Sequence, residues 1–192
     1  MSTSSDPFTA DDFKVLSGLA IETWQSGLDR DWSVPAGALQ WSCRTTAEHT
    51  VDAVFSPALN LASRRQHAYA HFDLLRPLPD ATIADLVDGL RAVTNMLWAL
   101  IVTAEPGTRA VIRHRPVIQI AGPQDFAPRG ASELIFHTYD ISTGLGVRFE
   151  PPRDLCSRLL PHIRGWEAHE ALPRTDDSWS DLVARSGRPR PL

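Results

Sequence analysis

Glu133, His137 and Asp140 fall within one short stretch, Glu133-Leu134-Ile135-Phe136-His137-Thr138-Tyr139-Asp140. On a helix, offsets of four and seven residues land at about +40° and −20° from Glu133. Two carboxylates and an imidazole then project from one stripe, while Leu134, Ile135, Phe136 and Ile141 face apolar neighbours. Polar groups set among apolar ones need partners, because burying them alone costs several kilocalories per mole. A metal ion is one partner that satisfies a Glu and a His together. A salt-bridged helix face, or a solvated one, is the plainer alternative, since Glu and His four apart occur by chance in many helices.

A metal site needs a further ligand, and His49 is the best placed. It lies on or beside the apolar stripe of a helix that carries Ala47, Val51, Val54, Phe55, Ala58 and Leu59, and Asp52 follows within a turn. If that helix packs beside the one holding Glu133 and His137, two imidazoles and one carboxylate meet. Zinc accepts such a set, and three protein ligands with a fourth position open is the catalytic arrangement. Nitrogen and oxygen ligands also suit nickel, iron or manganese. Asp140 is placed to accept from an imidazole N–H and fix its tautomer, and Asp52 is placed to do the same for His49. His67 and His71 form a rival pair four apart, but they stand among arginines where the helix should fray, so surface histidines are the better reading. Cys43 and Cys156 have no zinc-ligand spacing and imply no disulfide framework.

The elements that must position these residues read as helices. Residues 1–8 form a tail, and one domain spans 9–192. Thr9 caps a first helix to about Ser26, with Phe13, Leu16, Leu19, Ala20 and Trp24 inward and Gly27 as its stop. Ser42 caps the second, in which Pro57 should introduce a kink. Asp80 caps a third, about 81–104. Residues 105–128 are a long crossover with two short extended pieces around Pro116, and Gly122-Pro123 and Ala127-Pro128 break the chain again. Such a crossover is uncommon unless it covers something; here it would cover the mouth of a bundle. The fourth helix runs from about Gly130 to Thr143 and ends at Gly144. A fifth covers about 152–164, and a short terminal helix spans Trp179 to Ser186. The class is all-α: four main helices, one long crossover and short C-terminal helical additions.

Composition narrows the function. The chain has 192 residues, 43% of them hydrophobic, with net charge −4 and pI near 5.9. No basic face is indicated, which argues against nucleic acid as a partner. The longest apolar run, Met96 to Val102, is too short to span a membrane. The N-terminus lacks the basic and apolar regions of a signal peptide. A cytoplasmic protein is expected, as a monomer or a homodimer, with Trp24, Trp98 and Trp166 serving in the core or at an interface.

Three segments carry a family resemblance. Trp41-Ser42-Cys43-Arg44-Thr45-Thr46-Ala47-Glu48-His49 resembles the opening motif of the mycothiol-dependent maleylpyruvate isomerase family, in the DinB-like superfamily: a Trp, a helix cap, then a His eight residues after the Trp. Glu133 to Ile141, followed by Gly144 and Gly146, is similar to the family's second motif. Trp179-Ser180-Asp181-Leu182-Val183-Ala184-Arg185-Ser186-Gly187-Arg188-Pro189 resembles its closing segment. The resemblance implies a DinB-like four-helix bundle with His49, Glu133 and His137 as metal ligands. It also implies mycothiol, or a related low-molecular-weight thiol, as cofactor or co-substrate beside an electrophilic substrate. Maleylpyruvate isomerase has a further C-terminal domain that this sequence lacks, so thiol transfer or isomerisation in a generic sense is the expected class. Arg113, Arg115, Arg129 and Arg188 are the cations on offer to anionic groups of the thiol or substrate, with Arg129 and Arg188 as the cofactor-binding candidates, although a solvated surface role is the better reading for each. Two other readings stand beside this one: a metal-water hydrolase, and a non-catalytic bundle that binds metal, thiol or a protein partner.

Overall fold

Side-chain caps set where most of the helices begin. The computed structural model describes residues 6–70, 75–113, 116–163 and 175–191. In α1 (Ala10–Ser26), Thr9 Oγ1 accepts from the Asp12 N–H while Asp12 accepts from the Thr9 N–H. This reciprocal pair satisfies two donors that a helix start leaves open. Ser42 starts α2 (Cys43–Ser63) by accepting from the Thr45 N–H. The cap of α3 (Ile83–Thr103) is Thr82 rather than Asp80, because Thr82 forms the same reciprocal box with Asp85.

Other boundaries differ from expectation as well. Phe8, assigned to the tail, is buried in the core. The fourth helix, α4, runs Pro123–Leu145 and so starts well before Gly130. Pro123 occupies its first turn, where the missing N–H costs nothing and the fixed φ suits a helix. Pro128 then lies inside the helix instead of breaking the chain. An interior proline costs about 3 kcal/mol; full burial of Phe126, Ala127, Ala131 and Leu134 around it offsets that. Likewise α2 continues through Pro57 to Ser63.

The crossover is correspondingly shorter. Its two extended pieces pair as an antiparallel hairpin, β1 (Ala110–Arg113) with β2 (Gln119–Ala121), Ala110 opposite Ala121. Val111 N–H also donates to Arg65 O at 2.8 Å, which fastens the hairpin to the chain leaving α2. The fold is therefore mostly helical with one small sheet.

After α4 come α5 (Arg153–Leu159), a 3₁₀ turn at Leu160–His162, and α6 (Ser178–Arg185), capped by Asp177. α2 packs on α3 and α4, α1 packs on α3 and α4, and α5 packs on α6. Phe13, Leu16, Trp24, Leu90, Leu97, Phe126, Leu134 and Ile135 fill the shared core. Trp98 is half-buried beneath Lys14, whose ammonium lies 4.0 Å from the ring centroid; Trp166 lies outside the described residues. α3 has the length and composition of a membrane-crossing helix, with mean hydropathy 1.3. Its Leu86, Val87, Leu90, Val93 and Leu97 are buried among the other long helices.

Gly144 does not end α4. Gly146, at φ 65°, does so in the left-handed conformation that glycine adopts most readily. Gly144 instead lets α4 approach the start of α2. A Cβ there would meet the Pro35 carbonyl oxygen and lie 2.6 Å from Cys43 Sγ. Overpacking against backbone forces real displacement. Gly144→Ala is expected to lower stability by about 2–3 kcal/mol, read as a reduced urea midpoint with unchanged slope.

Candidate metal centre

The close contact at Gly144 sets the register of α2 against α4. Cys43 lies across from Ile141 and Gly144, its thiol 3.7 Å from Ile141 O. From this contact, six residues along α2 lead to His49 and seven back along α4 lead to His137, rises of about 9 and 10.5 Å. The two rings therefore come to the same height. Their centroids are 4.9 Å apart with planes at 85°. Glu133, one turn further back, completes the group.

One ligand atom from each of His49, Glu133 and His137 lies within 4.8 Å of the others. Donors about 2.1 Å from one tetrahedral ion stand about 3.4 Å apart, so small side-chain movements bring these three to bonding distance. Glu133 Oε2 is already 3.6 Å from His137 Nε2, and its Oε1 pairs with Arg129. The other ring nitrogen of His137, Nδ1, is buried without a well-formed hydrogen bond and faces Asp140 Oδ2 at 3.4 Å. Trp41, 47% exposed, lies edge-on against the outer face of His49 with centroids 5.1 Å apart.

Electrostatics suit a cation. Burial pushes the Glu133 carboxyl up, but the adjoining His137 ring and Arg129 guanidinium outweigh it and hold the group at about 2. Burial, and then the neighbouring His137, lower the pKa of His49, which keeps a neutral ring available as donor. Burial pulls His137 down, yet Asp140 and Glu133 on its two sides leave it above its ordinary value. Neither cysteine joins the group. Burial pushes the Cys43 thiol up to about 11 and the Cys156 thiol up to about 12. The donor set is thus two imidazoles and a carboxylate, with an orphaned buried nitrogen behind one of them. These residues fit a divalent cation held by three side chains.

The cluster sits between two clefts. One, of about 610 Å³, is walled by the β hairpin and reaches Glu133 and His137; Arg113, Arg129 and Arg188 all line it. Ile112, Arg113 and Gln119 to Ala121 of the hairpin thus form one wall of the cleft that Glu133 and His137 also line. The other, of about 500 Å³, opens on the far side of His49 beside Arg44, Glu48 and Asp52.

The supporting residues divide. Asp140 faces His137 as the spacing suggested. Asp52 accepts from the Leu75 N–H at 2.8 Å, so it anchors the chain at 75 and reaches His49 only through its charge. Arg129 and Arg188 are each already paired, with Glu133 and Asp140 respectively. Arg113 alone of the three cleft arginines has no charged partner among the described residues. Arg115 and His71 lie outside the described residues. His67 lies past the end of α2, which closes at Arg64 in the left-handed conformation, so no helix carries it toward His71. The Arg129–Glu133 pair was legible as an i, i+4 spacing; nothing in the sequence pointed from Arg188 to Asp140.

No protein-family model, no curated protein and no solved structure matches this chain. The resemblance to the maleylpyruvate isomerase family rests on the three motifs alone.

Proposed function

We propose that this chain is a DinB-like four-helix bundle that holds a divalent metal, zinc first, and uses a low-molecular-weight thiol such as mycothiol in a transferase or isomerase reaction. The observation that carries the reading is the convergence of His49, Glu133 and His137 from two facing helices beside an arginine-lined cleft. The three motifs support the thiol, and the acidic, non-basic composition agrees with a small-molecule partner in the cytoplasm.

When bound, a divalent cation supplies one thing: it lets a coordinating thiol stay deprotonated near neutral pH, and the thiolate is the nucleophile. The remaining work falls to side chains. Glu133 stays ionised and offers Oε2, while Arg129 holds Oε1. Asp140 stands behind His137 and faces its Nδ1, which leaves Nε2 for the cluster. Phe136 and the hairpin wall the cleft. Arg113 offers a guanidinium to an anionic substituent of the thiol or of the electrophile.

The test uses zinc-loaded protein with mycothiol and an activated aryl chloride. The thiolate sulfur forms a bond to the ring carbon, chloride leaves, and the thiol proton passes to buffer. Mass spectrometry is expected to show the conjugate forming faster than with metal-stripped protein. Equal rates would remove the metal from the reaction. Ester hydrolysis by the zinc form without any thiol would favour the hydrolase instead.

A further inference from the structure

The end of the chain returns to the metal cluster through Asp140. That carboxylate is 3% exposed, and Arg188, beyond α6, closes on it with both arms. Arg188 Nε donates to Oδ1 at 2.8 Å and Nη2 donates to Oδ2 at 2.7 Å. The guanidinium also lies over the Phe136 ring, 5.0 Å from its centroid. Two further anchors hold the segment in place. Tyr139 Oη donates to Pro189 O at 3.0 Å, and Arg190 donates to Ser180 Oγ at 2.9 Å and Asp181 Oδ1 at 3.1 Å.

The oxygen that Arg188 Nη2 grips is the one facing His137. Oδ2 of Asp140 stands 3.4 Å from His137 Nδ1. A two-pronged guanidinium fixes the plane of a carboxylate, which a point charge does not. Groups that hold the outer nitrogen of a ligating histidine set its ring orientation and tautomer.

We propose that Arg188 is a positioning residue of the metal centre: by clamping Asp140 it holds the His137 ring with Nε2 turned toward Glu133 and His49. The C-terminal segment is then part of the site, acting at one remove from the ligands. This rests on the metal reading above. It assigns Arg188 a role other than binding an anion, and leaves Arg113 as the cleft arginine open to one.

The test is zinc affinity of the full chain by chelator competition, with cobalt substituted to read ligand geometry by absorption. Arg188→Gln is expected to weaken zinc roughly tenfold and to alter the cobalt spectrum; Asp140→Asn should cost about 10- to 100-fold. The double variant should bind no more weakly than Asp140→Asn alone. Arg188→Lys, which keeps the charge and loses the fork, should fall between wild type and Arg188→Gln, and it carries the test if Arg188→Gln does not fold. Arg148→Gln, at an exposed arginine paired with Glu150 and outside both the cluster and the C-terminal segment, should leave affinity unchanged. Wild-type affinity in both Arg188 variants overturns the inference while leaving the metal reading intact. A wild-type chain that takes up no zinc removes the metal reading and this inference together.

Discussion

Replacing His49 with alanine is expected to weaken zinc binding by roughly 10²- to 10³-fold. Four-ligand zinc sites in small domains are worth about 10–16 kcal/mol, so one ligand accounts for about 2.5–4 kcal/mol, two to three decades in affinity. His49 is the only member of the cluster supplied by α2; Glu133 and His137 come from successive turns of α4. Its loss leaves two ligands on one helix, a set that any exposed Glu–His pair can offer. The ring packs against Trp41 and His137 without being fully buried, so the variant should fold. His67→Ala supplies the control, since that residue lies beyond the end of α2. Competition titration against a chromophoric chelator measures both. Equal affinity in His49→Ala and wild type would exclude His49 as a ligand.

The second large effect is on stability. Zinc at a thousand times its dissociation constant should stabilise the folded chain by about 4 kcal/mol. For a chain of this size, each kilocalorie shifts the melting temperature by about 2–4 °C, so a rise of roughly 8–16 °C is expected. Chelation should reverse it. The gain depends on the folded state binding far better than the unfolded one. His49 and His137 are remote in sequence and reach the same height only when α2 packs on α4. Glu133 and His137 alone can meet in a fluctuating helix, which binds weakly. Glu133→Gln should therefore lose most of the rise, read as the difference between its own zinc-loaded and metal-free melting temperatures. A melting temperature indifferent to zinc would mean that these three residues hold none.

Local chemistry made much of this readable in advance. Thr9 and Ser42 cap their helices because a hydroxyl beside an apolar-periodic segment can reach a free N–H. The stripes Phe13–Leu16–Trp24 and Leu86–Leu90–Leu97 are buried as their period required. Prolines and glycines were less readable. Pro128 reads as a breaker because it lacks a donor, yet the apolar residues around it bury deeply enough to carry the helix through. Gly144 reads as a stop; its use is close contact with Pro35 and Cys43.

The same division runs through the candidate metal site. Glu133, His137 and Asp140 share a stripe because helical geometry alone puts offsets of four and seven together, and the sequence by itself determined that much. It also determined that His49 stands near an inward face of another helix. Only the tertiary structure decided that His49 meets His137, because the height at which two helices match is set by the small residue at their crossing, Gly144 against Cys43. Only it decided that Asp52 turns away to the Leu75 backbone and that Arg188 returns to hold Asp140. Pairings between distant segments depend on how the helices pack, and no local spacing encodes them.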